Sequence, residues 1–174
     1  MTTEYYTGTS GDDYFNYTGP NNLYAQGLGG NDFIWGNNGR DIIYGNEGND
    51  TLKGYLGDDL LYGGAGDDIL NGFGSGVEYD DLYGGEGADT FVLGDASGAF
   101  YKGAGNSLGY AAIWDFDWTQ GDKIQVFGSA NDYTLKSYPN IGDSGVVDIY
   151  YKGDRIGLVN NTANVIISQD FIFV

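Results

Sequence analysis

Apolar residues recur along the first half of the chain at a regular interval of nine residues. From Gly27 to Asn71, five units follow one another without insertion: GLGGNDFIW, GNNGRDIIY, GNEGNDTLK, GYLGDDLLY and GGAGDDILN. Each unit has Gly at positions 1 and 4, Asp at position 6, and Ile or Leu at position 8. The pattern predicts a glycine turn at positions 1 to 6 and a short strand at positions 7 to 9, with position 8 facing inward.

The same register extends beyond these five units in both directions. GTSGDDYFN at 8–16 and GGEGADTFV at 84–92 are regular units. The segment 72–83 carries three additional residues, yet it supplies Asp80 and Leu82 in register. These segments are therefore predicted to continue the same structure.

One unit fits the pattern only loosely. In the stretch 17–25, Asn22 falls in the aspartate column and Tyr24 in the apolar column, which leaves Gln26 as one extra residue. With this degenerate unit included, we count nine units over residues 8–92.

Beyond Val92 the nine-residue pattern stops. Residues 93–110 are mostly small or glycine and are predicted to form a loop. From Ala111 onward, apolar runs such as KIQV, VVDIYY and RIGLV alternate with turn-forming residues, and no segment has helical periodicity. We expect residues 1–92 to form a repeat array and residues 93–174 to form an antiparallel β cap on its end.

Composition narrows the chemistry. The chain has 25 acidic and 7 basic residues and a formal charge of -18, which argues against nucleic acid and anionic membranes as partners. It has no Cys and no His, so disulfides and the usual zinc or copper ligands are excluded. No apolar run approaches the ~20 residues of a membrane span. Oxygen ligands remain, and they suit hard cations.

The repeated unit resembles the RTX nonapeptide G-G-x-G-x-D-x-U-x, a calcium-binding repeat. The resemblance covers residues 8–92 and implies an all-β fold, a right-handed parallel β-roll in which two units make one coil. It also implies Ca²⁺ as the cofactor, bound between turns that are stacked one coil apart.

In such a roll, every second turn lies on the same side, so the position-6 residues form two columns. The odd column is Asp13, Asp32, Asp50, Asp68 and Asp89, and the even column is Asn22, Asp41, Asp59 and Asp80. Each successive pair is predicted to bind one Ca²⁺ through oxygen ligands, up to about seven ions in all. The pair that includes Asn22 is expected to be weakest, because an amide carries no charge.

Turn backbones are predicted to supply further metal ligands at positions 1 and 4. These are Gly27, Gly30, Gly36, Gly39, Gly45, Gly48, Gly54, Gly57, Gly63, Gly66, Gly84 and Gly87. Leu28 and Tyr55 stand where the RTX pattern has its second glycine, so those turns are expected to be distorted or their side chains packed against a neighbour.

Other acidic residues lie outside the position-6 columns. Those at position 5, Asp12, Asp58 and Asp67, are expected to be solvated. Either Asp115 or Asp122 is a candidate to complete a further site at the end of the roll.

Charge also predicts that metal binding and folding are one event. Residues 8–92 contain 15 acidic and 2 basic side chains, which a stacked roll would bring close together. We expect the array to be unfolded without Ca²⁺.

The end of the chain resembles RTX proteins exported by type I secretion. GADTFVLG followed by IWDFDWTQGDKIQV is similar to the segment after the last repeat in serralysin-type proteases and alginate-epimerase modules. An acidic residue followed by terminal hydrophobic residues resembles the uncleaved export signal: Asp170, Phe171, Ile172, Phe173 and Val174. The N-terminal MTTEYYTGTS has no Sec-type signal. The resemblance implies the type I secretion machinery as a partner and an extracellular or cell-surface location.

Three tyrosines, Tyr44, Tyr62 and Tyr83, are expected to stack one coil apart on an outward face. Two interpretations remain open for this ladder: packing under the cap or against another chain, and binding of a surface polysaccharide.

Three functions therefore stay in view. The first is a secreted calcium-binding protein with a structural role. The second is an extracellular carbohydrate- or surface-binding module, and the third is the C-terminal part of a larger adhesin or enzyme. Only seven residues precede the first unit, so we expect no effector domain in this chain. Enzyme activity is not expected, because no His, Cys or Ser-based nucleophile constellation exists.

Overall fold

The computed structural model describes residues 2–102, 109–138, 145–160, 162 and 164–174. Within these residues the protein is almost entirely β. Strands β1 to β10 are Thr3–Thr7, Tyr14–Asn16, Asn22–Gly29, Phe33–Trp35, Ile42–Glu47, Thr51–Tyr55, Leu60–Ala65, Ile69–Phe73, Tyr79–Glu86 and Thr90–Val92. Strands β11 to β18 are Gly94–Asp95, Gly98–Ala99, Tyr110–Ile113, Lys123–Val126, Tyr133–Tyr138, Val146–Tyr151, Asp154–Asn160 and Phe171–Phe173. A 3-10 turn at Ala130–Asp132 and the short helix α1 at Ile167–Asp170 are the helical elements of the described part.

Successive strands alternate between two sheets, because each nine-residue unit contributes one strand and its turn carries the chain to the opposite sheet. The nine-stranded sheet has the order β1-β3-β5-β7-β9-β13-β17-β16-β15, and the seven-stranded sheet has the order β18-β14-β10-β8-β6-β4-β2. All pairings among β1 to β10 are parallel, for example β3 with β5 and β4 with β6. Two units therefore make one coil, and the prediction of an all-β parallel β-roll is confirmed.

The core of the roll is one column of apolar side chains between the sheets. Its members from the repeats are completely buried: Ile34, Ile43, Leu52, Leu61, Leu70, Leu82 and Phe91. Each such side chain stabilises the fold by roughly 1.5–3 kcal/mol. At the N-terminal end, the Tyr6 ring stacks on Phe15 with centroids 3.8 Å apart. Strand β1, which the sequence pattern does not predict, therefore closes this end of the core.

The antiparallel cap expected over residues 93–174 is much smaller than predicted. Strands β13 and β14 continue the roll, pairing parallel with β9 and β10, and β17 and β18 then add to them in parallel. Among the described residues, antiparallel pairing is confined to β15–β16–β17 and to the small hairpin β11–β12. Ile113, Ile124 and Phe171 are buried as the repeat residues are, so the coil continues without the glycine motif.

Two further sequence expectations concern this region. The predicted loop at 93–110 contains β11 and β12, and its residues 103–108 lie outside the described part of the chain. Within the described residues, no helix has the length and apolar character to cross a membrane.

Candidate metal centre

The odd-column aspartates stack one coil apart. The backbone N–H of each donates to Oδ1 of the next: Asp13 to Asp32 at 2.8 Å, and Asp68 to Asp89 at 2.9 Å. The same bond joins Asp32 to Asp50 and Asp50 to Asp68, each at 2.7 Å. The structure thus aligns the odd-column carboxylates in the predicted order.

Among the described residues, the second carboxylate oxygen has no partner in four of the odd-column aspartates and in Asp59 of the even column. In the described structure, Oδ2 is buried and accepts no hydrogen bond in five aspartates: Asp32, Asp50, Asp59, Asp68 and Asp89. Buried polar atoms in folded proteins are nearly always paired, and an unpaired carboxylate oxygen is especially unfavourable. A row of such atoms at matching positions therefore indicates that a cation belongs beside them.

Position-1 glycines form the floor of each candidate site. A Cβ added to Gly27 would lie 2.0 Å from Asp32 Oδ2 and 2.7 Å from the carbonyl oxygen of Gly45 on the next coil. Gly45 stands in the same relation to Asp50 Oδ2 and the Gly63 carbonyl, at 2.0 and 2.7 Å. A carboxylate oxygen and a carbonyl oxygen from neighbouring coils thus converge above each glycine. Convergent oxygens are the ligands that Ca²⁺ takes.

Positions 2 and 4 hold the left-handed backbone that the tight turn needs. Gly30 and Gly48 at position 4 have φ of 100° and 114°. Leu28 and Tyr55 at position 2 adopt φ of 82° and 86°, close to the 81° of Asn46. These turns are therefore not distorted, although a left-handed non-glycine residue costs roughly 1–2 kcal/mol. Both side chains are more than 40% exposed.

In the absence of a cation, burial disfavours the ionised form of the aligned carboxylates. It raises the pKa of Asp50 to about 6, of Asp68, Asp80 and Asp89 to about 7, and of Asp59 to about 9. Desolvation is the largest cause, and neighbouring carboxylates raise these pKa values further. Protonation or a bound cation would each relieve this cost of burying negative charge.

The even column begins with Leu23 and not with Asn22. Leu23 N–H donates to Asp41 Oδ1 at 2.7 Å, the bond that position-6 residues make elsewhere, whereas Asn22 Oδ1 accepts from Arg40 N–H at 3.2 Å. Asn22 therefore belongs to position 5, so the prediction that Asn22 is the position-6 member of the even column is wrong.

A one-residue shift in register explains this error. Ala25, not Tyr24, pairs with Ile43 and is buried in the apolar column, and Leu23 is buried beside it. The extra residue therefore lies before the strand, whereas the sequence pattern placed it after the strand, at Gln26. A shift of one residue moves every side chain of a strand to the opposite face, and the core accepts Leu23 and Ala25.

Asn37 links the first two turns of the even side. Its backbone N–H donates to Asp41 Oδ2 at 2.7 Å, and its side-chain amide donates to the carbonyls of Gly19 and Asn21. The carboxylate oxygen that is unpaired in the odd column is thus satisfied here by protein groups.

The other end of the even column is also closed by protein groups. Asp80 Oδ2 accepts a hydrogen bond from the buried Tyr101 hydroxyl. Glu78, also buried, accepts from Gly57 N–H and Gly74 N–H and fastens the three-residue insertion to the preceding turn. Only Asp41, Asp59 and Asp80 remain as stacked carboxylates on this side.

The odd column has a sixth member that lies outside the repeats. Asp89 N–H donates to Oδ1 of the buried Asp122 at 3.0 Å. Asp115 instead accepts from Gly84 and Gly85 N–H, so it lies outside the column. The signal for Asp122 was present in the sequence: Asp122 precedes Ile124 by two residues, as position 6 precedes position 8 in every unit.

Carboxylate pairs, and not larger clusters, are the units of these sites. In the part of the chain that the structure describes, no three acidic side chains group together as metal ligands. Position-5 acids such as Asp12 and Asp67 accept backbone N–H groups of the next coil on the exposed surface. Any cation in the columns would therefore combine two aspartates with backbone carbonyls.

The predicted tyrosine ladder is present and is longer than expected. Tyr44, Tyr62 and Tyr83 stack with centroids 4.7 and 4.6 Å apart. Three further rings extend the row: Tyr5 and Tyr24 take it to the β1 edge of the sheet, and Trp114 takes it to the end of β13, the sixth of the nine strands. The three predicted tyrosines are half-buried, chiefly because ring lies against ring.

The C-terminal residues proposed as an export signal are part of the fold. Phe171–Phe173 form β18 at the edge of the seven-stranded sheet, and Phe171 is buried against Tyr133. Asp170 is buried as well, and its Oδ2 accepts from Ile166 N–H at 2.7 Å. The export role of these residues stays a prediction.

Comparison with known proteins identifies the repeats. The family model of the RTX calcium-binding nonapeptide repeat (four copies) matches residues 24–52, 44–72 and 78–97. No curated protein matches the chain. Among solved structures, the chain is similar to the solution structure of the AlgE6R3 subunit of the mannuronan C5-epimerase from Azotobacter vinelandii, with 22% sequence identity and a TM-score of 0.35. That match covers 94% of this chain and 80% of the other. The prediction of RTX calcium-binding repeats is confirmed for the matched segments.

Proposed function

We propose that this chain, which carries RTX calcium-binding repeats, is an extracellular protein whose β-roll folds when it binds a series of Ca²⁺ ions. Its role would be structural and not catalytic. One observation carries the proposal: five buried aspartate Oδ2 atoms, four in the odd column and one in the even column, have no protein partner among the described residues.

The carboxylate columns supply seven candidate sites. Five lie in the odd column between successive members of the series Asp13, Asp32, Asp50, Asp68, Asp89 and Asp122. Two lie in the even column, between Asp41 and Asp59 and between Asp59 and Asp80. Position-1 carbonyls such as that of Gly45 would complete the ligand sets. Bound Ca²⁺ would supply the positive charge that lets these carboxylates stay ionised while buried.

Coupled folding follows from the balance of charge. Residues 8–92 carry 15 acidic and 2 basic side chains, and the column carboxylates lie on successive coils. Without a cation, mutual repulsion and desolvation both oppose the roll at neutral pH. Metal binding and folding would then be a single equilibrium.

Removal of calcium tests this proposal. We expect the far-UV circular dichroism of the roll to collapse to that of an unfolded chain in EDTA near pH 8 and to return when excess Ca²⁺ is added. Calorimetric titration of the refolding chain should give a stoichiometry of about seven. Mg²⁺ is the matched control, because it demands near-ideal octahedral geometry and dehydrates reluctantly. A native strand signal that persists in EDTA would contradict coupled folding.

We also propose export of the unfolded chain by type I secretion, directed by residues 170–174. The buried contacts of Phe171 support this order of events, because a folded roll would hide the signal in a sheet. Deletion of residues 170–174 should retain the protein in the producing cell. The double variant Asp50→Asn, Asp68→Asn, which impairs folding but keeps the signal, should still be exported. Unchanged export of the deletion variant would place the signal elsewhere.

A further inference from the structure

An open cleft lies beside the degenerate turn near the N-terminal end of the roll. Its volume is about 310 Å³, at the lower end of the range for small-molecule sites. Three aromatic residues line it, Tyr17, Trp35 and Tyr55, together with the polar residues Asn16, Thr18 and Asn38. Aromatic surface combined with a few polar groups is typical of ligand sites.

The cleft coincides with the place where the even column lacks a carboxylate. Leu23 takes the aspartate position there, and Asn37, part of the cleft lining, links the two turns. Unlike Asn46 in the following odd turn, Asn37 is not in the left-handed region. The local departure from the repeat therefore removes a cation site and forms a concave surface.

The polar groups of the cleft are available for a ligand. Asn16, Thr18 and Asn38 are exposed, and their side chains make no hydrogen bond within the described residues. Asn37 is 7% exposed, and its Oδ1 has no partner among them. Because Asn37 Nδ2 donates to two backbone carbonyls, a flipped amide would set oxygen against oxygen. Within the described chain, Oδ1 is therefore a buried acceptor without a donor, and the exposed side chains of Asn16, Thr18 and Asn38 are the ones that a ligand in the cleft can reach.

The lining carries no charged side chain, although the whole chain has a formal charge of -18. The cation Lys53 is not a lining residue, although its Nζ lies over two of the lining rings, 5.6 Å from the Trp35 ring centroid and 5.2 Å from that of Tyr55. An uncharged lining within an acidic protein favours a neutral ligand over an anionic one.

The long aromatic ladder on the other sheet is less suited to bind a flat apolar surface. Tyr44 and Tyr62 are almost parallel, with an interplanar angle of 2° and a centroid distance of 4.7 Å. Their faces are therefore covered by neighbouring rings. Trp35 meets its neighbour Phe33 at 51°, so these two rings are not stacked face to face.

We propose that this cleft binds a neutral hexose unit of a glycan. The apolar face of a sugar ring would pack on Trp35 and Tyr55, and sugar hydroxyls would bond to Asn16, Thr18 and Asn38. This inference goes beyond the proposed calcium-dependent fold, because none of these side chains belongs to a carboxylate column.

Glycan binding by the calcium-saturated protein tests the proposal. A glycan array should retain the protein on neutral oligosaccharides of glucose, mannose or galactose, and calorimetry with the tetrasaccharide of the retained sugar gives the affinity. Trp35→Ala should weaken that affinity about tenfold or more, since it removes the stacking surface. Asn38→Ala should weaken it roughly three- to tenfold through the loss of one hydrogen bond.

Two controls distinguish binding in this cleft from binding elsewhere on the protein and from loss of the fold. Trp118→Ala removes another exposed tryptophan and should leave the affinity unchanged. Asn38→Ala alters an exposed side chain without hydrogen bonds in the described structure, so its fold should stay intact by circular dichroism. The proposal is overturned if no neutral glycan is retained or if Trp35→Ala and Asn38→Ala bind as the parent does. Preference for oligouronates of equal length overturns the neutral class, and retention of a protein partner with no glycan overturns the ligand class.

Discussion

The two sides of the roll share one repeat but differ in how their carboxylates are satisfied. On the odd side, six aspartates form an unbroken series. The Oδ2 atoms of the two end members, Asp13 and Asp122, accept backbone N–H groups, but those of the four inner members, Asp32, Asp50, Asp68 and Asp89, have no protein partner in the described structure. On the even side the series starts late, because Leu23 replaces an aspartate. It also ends early, because Tyr101 satisfies Asp80. The odd side is therefore the main cation column.

The difference shows how little is needed to convert a metal site into protein packing. A one-residue shift of register and the backbone N–H of Asn37 remove the first even site, while the core column continues through Ala25 without a gap. The apolar column and the carboxylate column are thus separate requirements, and a unit can satisfy the first without the second.

The largest expected effect is a reversal of the pH dependence of stability when calcium is removed from both sides. Burial raises the pKa of Asp50 to about 6 and of Asp68 and Asp89 to about 7. Because the pKa values are raised on folding, this stability is present below the unfolded value of about 3.8 and is lost as pH rises through 6 to 7. In EDTA, the chain should be more folded at about pH 5 than at pH 8.

Circular dichroism and urea titration at the two pH values measure this effect. About pH 5 lies above the sequence pI of 4.1, so the chain keeps a net charge that limits aggregation. With saturating Ca²⁺ the order should reverse, since protons then compete with the metal. Equal stability at both pH values in EDTA would contradict the prediction that folding raises the pKa values of these carboxylates.

A smaller effect separates the two columns directly. Asp68 lies between Asp50 and Asp89 in the odd column, so Asp68→Asn should impair two sites. Asp41 has a carboxylate neighbour only in Asp59, so Asp41→Asn should impair one. Each impaired site lowers the free energy of unfolding by about 2.7 kcal/mol when Ca²⁺ is present at 100 times the Kd.

Calorimetric stoichiometry and the urea midpoint in Ca²⁺ should therefore fall about twice as far for Asp68→Asn as for Asp41→Asn. Asn keeps the shape and the Oδ1 acceptor, so the comparison isolates charge. Equal losses would contradict the shared-ligand arrangement.

The smallest effect comes from an attempt to make the even column resemble the odd one. Leu23→Asp places a carboxylate opposite Asp41 and should add one weak Ca²⁺ site. Because Leu23 is buried, the variant should be less stable than the parent in EDTA by about 2 kcal/mol or more and should recover part of that in Ca²⁺. Leu23→Asn is the control without charge. If calorimetry finds no additional ion, the prediction is wrong, and a carboxylate at position 23 is not sufficient to form a Ca²⁺ site with Asp41.

Much of the fold and of the site is predictable from the sequence. The period of nine predicts the two-sided roll, and position 6 predicts Asp32, Asp50 and Asp68 as members of one column. Asp122 was also within reach, since the spacing to Ile124 repeats that of every unit. It remained one of two candidates because no glycine turn precedes it at the usual distance.

The sequence by itself determined the features that recur: a turn that only glycine can fill at position 1, a carboxylate at position 6 and an inward apolar residue at position 8. Local sequence is sufficient to predict these features, because the same residue types recur at the same positions in successive units. The tertiary structure alone decided the register at Leu23, the continuation of the roll through β13 and β14, and the capping of Asp80 by Tyr101. Each of these depends on strands and side chains that are distant along the chain, and hydrogen-bond register between strands is set only when the partners meet.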